Sequence, residues 1–163
     1  MRNLSKTCGV IAAVALMTGA SGARAEDVAR NKCQAIGPSG FQKLSDRADH
    51  GLDIVAASCR VATGPMDGGV ITAQYYWEWD NKVGTLIYGG GVARKGDAIL
   101  VYQYTEGTTT LIVTDGKVTG YTSGGKGRWP IATGAAASLA GKTFTWTSKA
   151  IPTGDYETVW TTD

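Results

Sequence analysis

The stretch "VARKGDAILVYQYTEGTTTLIVTDGKV", residues 92–118, decides the fold. It consists of short runs of Val, Ile, Leu, Thr and Tyr, residues that fit a pleated, half-buried surface. The runs are cut by Lys95-Gly96-Asp97, Glu106-Gly107 and Asp115-Gly116. Glycine supplies the positive φ that a tight hairpin needs, and Asp-Gly is a strong hairpin dipeptide. Connections this short join antiparallel neighbours, because parallel strands need crossovers of a dozen or more residues.

The same pattern extends in both directions. Strands are expected at 53–62, 69–79, 83–93, 98–105, 108–114, 117–122, 128–132, 142–149 and 156–161. A meander of this kind closes on itself to remove exposed edges. The expected fold is therefore all-β, a closed or nearly closed up-and-down antiparallel barrel of about eight strands over residues 52–163. A β-sandwich is the alternative. "GAAASLAG" (134–141) reads as a short helix or a lid-like loop. Residues 26–51 read as a polar N-terminal arm. Phe41, Leu44 and Ala48 are spaced to share one face of a short helix, which Gly51 would end.

Residues 1–25 read as an export signal. Arg2 and Lys6 precede the apolar run "VIAAVALM" (10–17), and "ARA" (23–25) has the small-x-small form of a cleavage site. The run is shorter than the ~20 residues a spanning helix needs, so no membrane insertion is expected. The full chain has 16 Lys+Arg and 14 Asp+Glu. Arg2, Lys6 and Arg24 would leave with the leader, so acidic residues would exceed basic ones by one. No basic block remains to bind nucleic acid. Cys33 and Cys59 form an even pair in an exported chain, which implies one disulfide and a periplasmic or secreted location. No metal site and no cofactor are implied.

"YYWEWD" (75–80) is the densest aromatic segment. On a strand, Tyr75, Trp77 and Trp79 share one face, and Tyr76, Glu78 and Asp80 the other. The rings fill a barrel core or line a ligand cavity. Tyr102 and Tyr104 share a face in the same way. Glu78 and Asp80 are a carboxylate pair, read as a solvated polar face beside the Asn81 turn. "GYTSGGKG" (120–127) approaches a phosphate-binding loop but has Gly127 where Ser or Thr must hold magnesium. His50, the only histidine, has no zinc partners and no nucleophile-elbow serine to serve. The three glycines of "GGGVARKGD" (89–97) read as a barrel corner or bulge. The chain is not expected to be an enzyme.

The run 84–129, with its glycine-rich strand, "KGD" turn, "DGK" turn and Gly-rich end, resembles small exported bacterial β-barrel proteins of avidin- and lipocalin-like shape. That resemblance implies a barrel shape and carries no ligand with it. A second resemblance is to periplasmic inhibitors of C-type lysozyme. It rests on Ser123, Gly124, Gly125, Lys126, Gly127 and Arg128 and on "GKTFTWTSK" (141–149). Such inhibitors push a Ser-Gly-rich loop into the lysozyme cleft.

Two functions follow as expectations. The first is non-catalytic binding of a small apolar or amphipathic ligand in a cavity lined by Tyr75, Trp77, Trp79, Tyr102 and Tyr104. The second is binding of a partner protein, as an inhibitor or adhesin, through a 120–129 loop. There Ser123, Lys126 and Arg128 would make the contact and Trp129 would anchor it.

Overall fold

The computed structural model describes residues 26–37, 40–152 and 155–162. The leader read at 1–25 lies outside the described residues. Nine strands form one antiparallel sheet. They are β1 (Glu26–Ala35), β2 (Gln42–Lys43), β3 (His50–Val61), β4 (Val70–Asp80), β5 (Val83–Lys95), β6 (Ala98–Thr114), β7 (Lys117–Ala132), β8 (Thr143–Ala150) and β9 (Tyr156–Thr162). A 3-10 helix, Gly134–Leu139, links β7 to β8. From β3 to β9 each strand pairs with the next, and β1 pairs with both β9 and β3. The sheet thus closes into an eight-stranded barrel, and β2 is a short flap on the start of β3.

Strand composition and alternation account for most of this. Two-residue turns sit at Asn81-Lys82, Gly96-Asp97 and Asp115-Gly116. Asp115 and Gly116 both have positive φ, 51° and 75°, the geometry that matches hairpin twist.

Four expectations are corrected. The polar arm is a barrel strand: β1 alternates Ala29, Asn31 and Cys33 inward with Arg30, Lys32 and Gln34 outward. The short helix through Phe41, Leu44 and Ala48 is not formed; Phe41 is exposed, and Gln42–Lys43 pair with Leu52 and Gly51. Glu106-Gly107 is no turn but the middle of β6, beside a bulge at Thr105. The 120–129 stretch is likewise no loop but the centre of β7. Two expected hairpins become two long strands, and β1 restores the count to eight.

The two ends of the barrel differ. At one end Met66, Ala136, Leu139, Trp129, Phe144 and Trp160 pack into a sealed core. Trp129 and Phe144 stack with ring centroids 4.4 Å apart. The strands thin at glycine to admit these rings. A Cβ on Gly127 would lie 2.3 Å from Phe144 Cζ, and one on Gly107 2.6 Å from Trp146 Cζ2. A bulge in β5 leaves Ile87 unpaired between Leu86 and Tyr88, beside the glycine triplet. Gly89 then gives room to the rings of Tyr75 and Tyr104.

The Cys33–Cys59 disulfide joins directly opposed residues of β1 and β3. It spans 26 residues and fastens the seam that closes the barrel. By restricting the unfolded chain, such a loop adds about 3 kcal/mol. Replacing both cysteines with serine should lower unfolding free energy by about that amount in a denaturant titration. An unchanged midpoint would mean that the seam holds without the bridge.

Candidate functional site

The end opposite the 3-10 helix is not filled. A cavity of about 310 Å³ lies there, inside the barrel. Alternation on seven strands builds it, since every lining residue occupies an inward position of its strand. Trp77 and Trp79 of β4, Tyr104 of β6 and Trp146 of β8 form its aromatic wall, together with Tyr75. Val55, Leu111, Tyr121 and Tyr156 complete the apolar part. Ala35 at the rim is exposed, and Leu111, Tyr121 and Tyr156 are half-buried, so the cavity opens to solvent.

The floor is a column of rings. Tyr75 stacks on Tyr104 at 5.7 Å, and Tyr104 on Trp146 at 4.4 Å with planes 12° apart. Trp77 meets Trp146 edge-on at 6.4 Å. Two hydrogen bonds fix the column from below. The hydroxyls of Tyr75 and Tyr102 lie 3.0 Å apart, and Trp160 Nε1 donates to the Tyr104 hydroxyl at 3.2 Å. Burial raises the pKa of Tyr75, Tyr102 and Tyr104, so all three are neutral phenols.

A band of hydroxyls crosses the wall above this floor. Ser123 Oγ donates to Thr109 Oγ1 at 2.7 Å, and Thr158 Oγ1 donates to Ser148 Oγ at 3.1 Å. Burial pushes the Tyr121 phenol up to about 12. One ionisable carboxyl, Asp53 on β3, lines the same space. Its register partner across β4 is Trp77. Burial raises the Asp53 pKa, opposed by a backbone hydrogen bond from Ile54. Two buried polar atoms of the lining residues have no hydrogen-bond partner: Asp53 Oδ1 and Trp79 Nε1. Buried polar groups normally have partners.

The expected ligand residues separate here. Tyr75, Trp77, Trp79 and Tyr104 line the cavity. Tyr102 does not; it is buried beneath the floor and holds Tyr75 in place. The expected partner-binding residues do not form one surface. Ser123 points into the cavity, while Lys126 and Arg128 lie outside the barrel. There Lys126 Nζ meets Glu106 Oε1 at 3.0 Å, and Arg128 donates to Gln103 Oε1. Trp129 cannot anchor a partner because it is wholly buried in the sealed core. Sequence reading did not single out Asp53, Thr109, Tyr121, Trp146, Ser148, Tyr156 or Thr158. The parity of "TFTWTSK" and "YETVW" pairs Trp146 with Ser148 and Tyr156 with Thr158, and was the signal available.

His50, at the start of β3, lies at the edge of this end. It is buried, with Nδ1 2.6 Å from Asp46 Oδ1 and Nε2 2.9 Å from Glu78 Oε1. Arg47 reaches Glu78 at 3.8 Å and Asp80 at 3.5 Å, so the carboxylate pair is tied to a cationic cluster. This clasp holds the β2–β3 turn against β4.

Compared with known protein families, with curated proteins and with solved structures, the chain matches none.

The clasp has a defined pH window. Hydrogen bonds to Asp46 first, and then to Glu78, raise the His50 pKa above its ordinary 6.5. Both ring nitrogens can donate only in the imidazolium. Its stabilisation is fully present below pH 6.5 and lost as pH rises through the raised value. The hydrogen bond from His50 lowers the Asp46 pKa below 3.8, so that contribution is present above 3.8 and lost as pH falls through the lowered value. Melting temperature should therefore fall as pH rises past neutrality, and His50→Gln should flatten that part of the profile. Parallel wild-type and His50→Gln profiles would exclude the clasp as a source of pH dependence.

Proposed function

We propose that this barrel is a binding protein that takes one small amphipathic molecule through its open end. The observation that carries the reading is the open cavity itself. A barrel that seals one end with six large and small apolar side chains leaves about 310 Å³ at the other. That volume is at the small end of the range for ligand sites, which are typically apolar and aromatic with a few placed polar groups. The rings of Trp77, Trp79, Tyr104 and Trp146 offer flat apolar contact. The half-buried Asp53 and the side chains of Ser123, Ser148 and Thr158 place polar groups in the same wall.

The Cys33–Cys59 disulfide supports an oxidising compartment, periplasmic or extracellular. Among the described residues, no helix is long and apolar enough to cross a membrane.

The test is mass spectrometry under non-denaturing conditions on protein isolated gently from its native source. One bound small molecule is expected on the wild type. It should be lost when Trp77 and Trp79 are both replaced with alanine, in a variant whose circular dichroism still reports a folded β-protein. A bare wild-type chain, or an adduct that survives the double substitution, would contradict the assignment of this cavity.

A further inference from the structure

We infer that the ligand is a cation: an ammonium group on an apolar or aromatic body, held with its charge against Asp53 and its body against the tryptophan wall. This rests on the cavity reading above and names the chemical class that the cavity takes.

The charge inventory of the cavity points one way. Its ionisable lining consists of Asp53 and the phenols of Tyr75, Tyr104, Tyr121 and Tyr156. Burial raises the pKa of each of those phenols, so they carry no charge at neutral pH. Among the described residues, no Lys, Arg or His lines the space. Asp53 makes no ion pair with any of them, and its Oδ1 is shut off from solvent without a hydrogen-bond partner. A half-desolvated carboxyl without a counter-charge is costly to ionise. A bound cation removes that cost, and no cationic side chain of the wall competes with the ligand for the carboxylate.

The walls agree with the charge. An ammonium is attracted to the faces of tryptophan and tyrosine, and aromatic cages are a recurrent way to hold one. Trp77 stands directly across the β3–β4 pair from Asp53, and Trp79 follows it on the same inward face. An anionic ligand would meet a carboxyl and no positive side chain.

The experiment compares three probes of one shape on the full exported protein, by calorimetry or tryptophan fluorescence. They are 2-phenylethylamine, 2-phenylethanol and phenylacetate, each titrated to millimolar concentration at pH 7. The amine is expected to bind at least tenfold more tightly than the alcohol, with phenylacetate weakest. Asp53→Asn should bring the amine down to the level that the alcohol shows on the same variant. The wild-type comparison stands even if the variant folds poorly. Equal binding of amine and alcohol to the wild type would overturn the cationic class while leaving the cavity reading intact. Preference for phenylacetate would overturn it as well. If none of the three binds, both the cationic class and the cavity reading fail.

Discussion

Everything in this molecule depends on the pairing of β1 with two partners at once. Without β1, the strands from β3 to β9 form an open sheet with two exposed edges, each a template for pairing with other chains. With β1 inserted antiparallel to both β9 and β3, the edges vanish and an interior exists. The disulfide sits in this seam, between directly opposed residues. A barrel of this size has little core to spare, so a covalent tie at the closing pair is well placed. The interior that results is then divided between a sealed half and an open half.

The division comes from aromatic rings meeting glycine. In the sealed half Trp129, Phe144 and Trp160 interlock, and Gly127 thins β7 where Phe144 lies against it. The Tyr75–Tyr104–Trp146 column closes this half and forms the floor of the other. Above it Asp53, Thr109, Ser123, Ser148 and Thr158 interrupt the large inward side chains, leaving space unfilled and keeping polar atoms at the wall. The same period-2 alternation thus serves packing at one end of each strand and recognition at the other.

Local chemistry in the sequence carried much of this. Asp115-Gly116 forms the hairpin its dipeptide implies, and the parity of Tyr75, Trp77 and Trp79 holds in the barrel. What stayed hidden was non-local. Glu106-Gly107 has the composition of a turn, yet Gly107 is there because the Trp146 indole, from a strand forty residues later, lies against its Cα. Gly125 has the same kind of reason, since a Cβ there would meet the Glu106 carbonyl oxygen of the adjacent strand. No window of sequence around either glycine contains the ring or the carbonyl. β1 was missed because Asn31 stands at an inward position and Arg30 and Lys32 flank it, so its alternation is weak by hydropathy. Asp53 was missed because a lone carboxyl in a strand looks like a solvated position until the rest of the wall is in place.

Backbone amide chemical shifts, followed by NMR while 2-phenylethylamine is added, test the central claim most directly. The expected result is a set of shifts confined to the open end, around Asp53, Val55, Trp77, Ser148 and Thr158, with Trp129, Ala136 and Leu139 unmoved. Shifts confined to the outer face, for instance around the exposed Ile87 and Tyr88, would contradict it.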